Sequence, residues 1–527
     1  MHPFLQKHLS SVTGWLNGFD RLRCRGTLRM LSHTGGFASF LRLIGVKIKD
    51  FGPFVRETTE RVCQASEAVA RAAGRPVIYV PSAASNKEEI ARQIMERDEV
   101  RSGLVCVLRC VEPCISYDVR KWGSPELKLG TRKCLHHYHY QVHPVFGFMH
   151  VRVQSWMPMT VHVYVNGREW LARRMDVAKL GYRRAGNCFT ALSDPEEAQR
   201  LFDQLLRTQW PAALDELASA ANPAWRDIFA KCPQSYYWSV DASEWATDVM
   251  FKTPELLAAV YPNLVRHGML NLGSRDVLRF LGRKAPQADE RGRRGQPLKL
   301  HARLTAEVNT DLAQRAEGVR IKHRVNTNSI KMYDKQGSVL RVETTLNKPR
   351  DMKVYRPKEG DEGGEKAWRY LRKGVADLWR RGQLCQSANE RYLTAMATVD
   401  HPTPLGQLAE KLCRSTTWSG KPARGLNPLG GQDAVLLEAV NRGEFILTGF
   451  RNRDLRTLLY ATETTDPKEA RRRSGAVTRQ LRLLRAHGLI HKVPKTHRYQ
   501  VSENGRKAIT ALLTARAADT AKLAAAA

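Results

Sequence analysis

Residues 481–501, LRLLRAHGLIHKVPKTHRYQV, carry the most legible structural signal in the chain. Leu481 and Leu484 continue an apolar stripe from Val477 at the i, i+4 and i+7 spacing of one helix face. The spacing predicts a helix that stops at Gly488. Beyond it, IHK and RYQV flank a Pro-Lys-Thr turn, the pattern of two short strands. Working outward, QDAVLLEAVNRGEF, TGFRNRDLRTLLYA (with Asn452 as its cap) and DPKEARRRSGAVTRQ precede this stretch as helices, and SENGRKAITALLTARAA follows as another.

Helix, helix, helix, β-wing is the order of a winged helix-turn-helix domain. Residues 430–527 resemble that family through the pattern LRLLRAHGLIHK…RYQVSENGRKAI, over about a fifth of the chain. The face of the third helix opposite the stripe carries Ser474, Thr478, Arg479, Arg482 and Arg485. A helix fits the major groove of B-DNA, where arginine grips guanine edges or phosphates. In the wing, Lys492, Lys495, His497 and Arg498 are expected to meet backbone phosphate. Winged helices that bind proteins also exist; the Arg471–Arg472–Arg473 run favours a nucleic acid.

The whole chain points the same way. Its 527 residues hold 85 Lys and Arg against 52 Asp and Glu, a formal charge of +33 spread along the length. Such an excess most often meets a polyanion, with DNA expected, RNA as an alternative and a membrane surface disfavoured. No apolar run reaches a transmembrane length, and MHPFLQKHLSSVTGWLNGFD lacks a signal-peptide core, so a cytoplasmic protein is expected. Ten cysteines are irregularly spaced. Cys106, Cys110 and Cys114 repeat every four residues, but structural zinc sites favour closer pairs, and a strand of small buried thiols is the expectation.

The fold class expected is α+β and multidomain: a partly antiparallel sheet domain, a helical region, a β-hairpin region and the C-terminal winged helix-turn-helix. Residues 1–74 are expected to be basic and helical. Residues 75–190 follow as an α/β sheet unit with a His-rich strand, its long alternating strands joined at VFGF. Residues 191–283 are expected to be helical, including a helix at DASEWATDVMF that would align Asp241, Glu244 and Asp248. KAPQADERGRRGQPLK, at 284–299, has the composition of a linker. Residues 300–400 are expected to form a β-hairpin, turning at DKQGS, plus two helices, and 401–433 to be irregular.

Three sets of residues bear on strand cleavage. In CLHHYHYQVHP, His137 and His139 share one strand face, with His143 following. The HYH element is similar to the metal-holding histidines of HUH-type rolling-circle replication initiators, relaxases and transposases. That resemblance implies bound Mg²⁺ or Mn²⁺ at His137, His139 and His143, polarising a phosphate for attack by a tyrosine. Tyr370, with Lys373 on a helix, and Tyr333, with Lys335 on a hairpin, are the candidate nucleophiles. Asp334 and Glu343 are candidate metal-holding carboxylates, and the segment IKMYDK…LRVE is similar to parts of plasmid and phage replication proteins. The function expected is a DNA-processing protein of a mobile or replicating element. A non-enzymatic nucleic-acid-binding regulator or RNA-protein scaffold stands as the alternative.

Overall fold

The computed structural model describes residues 2–120, 126–282, 308–315, 318–358, 361, 363–399, 405–460, 462, 464–494 and 496–518. The expected linker at 284–299 lies outside the described residues, as does Lys495. Helices and strands are mixed, and one eleven-stranded sheet dominates. Its strands are β1 (Val12–Leu28), β2 (Val77–Tyr79), β3 (Gly103–Arg120), β4 (Glu126–His143), β5 (Gly147–Gln154) and β6 (Val161–Asn166). A separate pair, β7 (Tyr182–Ala185) and β8 (Cys188–Leu192), comes next in the chain. The large sheet is completed by β9 (Tyr236–Phe251), β10 (Val308–Arg315), β11 (Gly318–Val325), β12 (Asn328–Lys335) and β13 (Val339–Thr345). The spatial order is β10-β11-β12-β13-β9-β1-β6-β5-β4-β3-β2. Only the β2–β3 pair is parallel among the described residues.

The sheet crosses the boundaries expected from sequence. Residues 1–74 are not wholly helical, because β1 occupies 17 of them. Its buried positions Leu16, Leu22, Cys24 and Leu28 repeat with the period of two that a strand requires. The segment expected as the helix DASEWATDVMF lies in β9, which runs for 16 residues inside the region expected to be helical. Across β9, Tyr236, Tyr237, Trp238, Val240, Trp245, Thr247, Val249 and Phe251 fit a pleated surface, and pairing with β1 along its whole length overrides any helical spacing. The hairpin expected at DKQGS is present as β12–β13, with Gln336 and Gly337 both at positive φ, as a tight hairpin turn requires.

Two further segments differ from expectation. WRY is not helical: β15 (Ala367–Tyr370) pairs with β14 (Lys353–Arg356), and one α-helix, Leu378–Met396, follows. Residues 401–433 are not irregular throughout. They contain the helix Leu405–Cys413 and a hairpin of β16 (Thr416–Trp418) and β17 (Lys421–Ala423).

Helices cover both faces of the sheet. On β4, His137 and His139 turn to one face and Tyr138 and Tyr140 to the other. The helix Phe51–Ala72 supplies Ser66 to His139, whereas Ala91 and Ile94 of the helix Lys87–Arg97 pack in the cluster that holds Tyr138 and Tyr140. Over the middle strands, Asn389 of the helix Leu378–Met396 bonds Thr344, Thr247 and the carbonyls of Trp245 and Val342. Glu343, next to Thr344 on β13, therefore projects to the opposite face.

The last part of the chain has its own apolar cluster, running from Leu412 to Leu512. Helices Gly431–Val440, Asn452–Leu459, Pro467–Ala486 and Glu503–Arg516 surround β18 (Ile490–Lys492) and β19 (Tyr499–Val501). Val477, Leu481 and Leu484 are buried there. Among the described residues no helix is long and apolar enough to cross a membrane.

Candidate functional site

Four adjacent central strands, β12, β13, β9 and β1, bring distant residues together. Register sets Lys331 opposite Glu343 and Tyr333 opposite Arg341, and then Arg341 opposite Asp248. Glu244 lies opposite Thr345 on one side and Arg21 on the other. A register shift between Phe19 and Arg21 of β1 falls at Asp20. Carboxylate oxygens of Asp20, Glu244 and Glu343 then lie within 4.8 Å of one another, the one such group of three or more metal-ligating side chains among the described residues.

A tyrosine and a set of cations enclose this acidic group. The Tyr333 hydroxyl donates to Glu343 Oε2 at 3.0 Å. Lys331 Nζ stands 2.6 Å from Glu343 Oε1 and 3.5 Å from Glu244 Oε1. A cavity of about 290 Å³ opens over these groups, and Arg21, Arg315, Gly318, Arg320 and Lys335 complete its lining. Three acids set among cations suit a phosphodiester bound with a cation: the basic side chains attract the anion, the acids the metal.

Behind the site lies a buried ionic network. Arg341 reaches Asp248 through two bonds of 2.5 and 2.7 Å and Asp20 at 2.9 Å. Arg168, fully buried on the helix Gly167–Val177, bonds Asp248 at 2.8 Å. Asn187, in the β7–β8 turn, donates to Asp20 at 2.7 Å, and its carbonyl accepts from Arg341. Burial pushes the Asp20 and Asp248 carboxyls up, but the neighbouring Arg341 and Arg168 outweigh it, so both titrate low and stay ionised.

Glu343 differs. Burial pushes its carboxyl up to about 7, with Lys331 opposing and Glu244 and Asp20 adding to the rise. Burial likewise raises the Tyr333 hydroxyl well above its ordinary value, with the Glu343 charge adding to it. A carboxylate this close to neutrality at pH 7 is suited to take a proton from a neighbour.

The residues singled out in the sequence separate accordingly. Tyr333 and Glu343 meet in the site. Asp334, the next residue on β12, takes the opposite side of the strand and is not in the acidic group. Asp241 pairs with Arg23 at 2.7 Å instead of aligning with Glu244 and Asp248. Tyr370 is 59% exposed on β15, not on a helix, and does not line the cavity.

His137 and His139 share a buried face, but no third ligand joins them among the described residues. Burial lowers them to about 3 and about 4, so both are neutral. His139 Nε2 meets Ser66 Oγ at 3.2 Å, and His143 Nδ1 accepts the backbone N–H groups of Val145 and Phe146 at its own hairpin turn. Cys106 and Cys110 are buried free thiols on β3, and Cys114 is a half-buried one.

Asp20 was not singled out in the sequence. Its signal is a lone carboxylate among Leu16, Gly18, Phe19, Leu22 and Cys24. Gly18 lies under the Phe202 ring, where a Cβ would clash.

In the C-terminal part, Ser474 and Thr478 face the preceding helix: Asn452 Nδ2 donates to the Ser474 carbonyl and the Thr478 hydroxyl, both at 2.9 Å. Arg479, Arg482, Lys492 and His497 are exposed. Arg485 stacks on Trp418, and Arg498 reaches the Gly449 carbonyl. No family model matches the chain, and no curated protein or solved structure matches it either.

Proposed function

We propose that this protein nicks a nucleic-acid strand with Tyr333 as the nucleophile, as a DNA-processing protein of a mobile or replicating element. The observation that carries this reading is the Tyr333 hydroxyl 3.0 Å from a buried carboxylate that belongs to a three-acid group. Asp20 and Glu244 are the residues to hold Mg²⁺ or Mn²⁺, since hard divalent cations take oxygen donors, and Glu343 beside them is left to accept a proton. When bound, such a cation supplies Lewis-acid polarisation of a phosphoryl oxygen.

The remaining chemistry belongs to the chain. Glu343 takes the phenolic proton of Tyr333 as the phenolic oxygen bonds to phosphorus. The P–O bond to one side of the strand breaks. One strand end stays on the tyrosine, and the proton ends on the departing hydroxyl. Arg21, Arg315 and Arg320 attract and orient the phosphate.

Recognition falls to the C-terminal part. The order of helices around β18–β19 supports a winged helix-turn-helix reading, in which exposed Arg479, Arg482, Lys492 and His497 contact duplex DNA. The test uses end-labelled single-stranded DNA, duplex DNA and RNA with Mn²⁺ or EDTA on denaturing gels. Metal-dependent cleavage with label retained on wild-type protein and absent from Tyr333→Phe is the expected result. Tight binding with no cleavage of any of the three would overturn it and leave a non-enzymatic regulator or scaffold.

A further inference from the structure

The hairpin β16–β17 stands beside the helix Pro467–Ala486 and leaves a cleft of about 530 Å³ between them. That volume lies in the range of small-ligand sites, far too small for a double helix. Ser419 and Gly420 form a tight turn with both residues at positive φ, which holds Trp418 directly opposite Lys421. Arg485 caps the Trp418 indole at 4.5 Å, and Arg482 lies 5.8 Å from its centre. Tyr460 lines the cleft as a second aromatic.

The lining is cationic. Lys421, Arg479 and Arg482 are exposed along it, while Arg424 is held by Asp433 through two bonds of 2.6 and 2.7 Å. No carboxylate lines the cleft among the described residues. Gln480 also lines it. An aromatic wall and cations match two parts of a nucleotide, a flat base and a phosphate.

We propose that this cleft binds one unpaired nucleotide, its base stacked at Trp418 and its phosphate on Lys421, next to the Arg479 and Arg482 that take the duplex. The proposal deepens the nucleic-acid reading above. The C-terminal part would hold the unpaired nucleotide beside a duplex as well as the duplex itself. The tail of a melted duplex is the source favoured by the neighbouring exposed arginines; a free mononucleotide has the same chemistry.

The test is fluorescence anisotropy in EDTA with Tyr333→Phe protein, so that it reads binding whether or not the chain cleaves anything. The probes are a blunt labelled duplex and the same duplex with a short unpaired tail. Tighter binding of the tailed probe is expected, with Trp418→Ala losing about tenfold on that probe alone and Trp418→Phe retaining most of the gain. Competition by millimolar dAMP that matches an equal concentration of tail would assign the source as a free nucleotide. Equal binding of the two probes, or an equal loss on both in Trp418→Ala, would overturn the proposal. The second result would make Trp418 a prop for the helix.

Discussion

Tyr333 and Glu343 hydrogen-bond at 3.0 Å across the β12–β13 hairpin, although each is opposite a different partner in the strand register. The pair joins a group carrying a transferable proton to a carboxyl pushed up to about 7 by burial. On the proposed mechanism, replacing Tyr333 with Phe removes the nucleophile and leaves the fold. Cleavage should fall by about three orders of magnitude or more, while DNA binding persists. Tyr370→Phe should cleave normally. Denaturing gels of both variants decide between the two tyrosines.

The same carboxyl makes stability depend on pH. A folded value near 7 against an ordinary 4.5 means that the folded state holds a proton the unfolded chain has lost. Stability from this group therefore falls as pH rises from about 4.5 to 7 and is lowest above 7. Glu343→Gln should melt higher than wild type at pH 8 in EDTA, with the gain shrinking toward pH 4.5. Glu244→Gln should lose Mn²⁺ binding in calorimetric titration. Unchanged Mn²⁺ affinity there would remove Glu244 from the metal site.

The histidines act in the opposite sense. Burial holds His137 at about 3 and His139 at about 4, against 6.5 when unfolded. The unfolded chain therefore binds more protons between those limits, and stability is lost as pH falls from about 6.5 toward 4. Both ring nitrogens of His137 lack partners among the described residues. His137→Leu should melt at or above the wild-type temperature, with a shallower loss in acid and unchanged Mn²⁺ binding. Loss of Mn²⁺ binding in this variant would restore the histidine-ligand reading.

Asp248 is the anchor beneath the site, joined to both Arg341 and Arg168 while fully buried. Asp248→Asn leaves two buried guanidinium groups short of a counter-charge. It should cost about 3–5 kcal/mol in urea unfolding. A cost under about 1 kcal/mol would show that the network relaxes around the loss.

Duplex binding should follow salt. Lys492→Ala should reduce the slope of log K against log salt by about 1 and weaken all sequences alike. Arg479→Ala should also alter sequence preference if that side chain meets a base edge. Titrations at several salt concentrations with two duplex sequences separate the roles.

By itself the sequence determined what is local and periodic. The helix stripe Val477, Leu481 and Leu484 was legible because a 3.6-residue period shows within a few turns. The alternating strands at VFGF and the turn DKQGS were legible for the same reason, and +33 is read directly from composition. Tertiary structure alone decided the acidic site. Asp20, Glu244 and Glu343 lie on three strands far apart in the chain, and they meet because β9 pairs with both β1 and β13. No local pattern encodes that pairing. For Glu244 and Asp248 the local spacing even suggested a helix, and only pairing on both edges of β9 made it a strand and turned Glu244 toward Asp20. The strand order also left His137 and His139 buried beneath a helix, far from the role their spacing suggested, because burial depends on what covers a face and not on which residues share it.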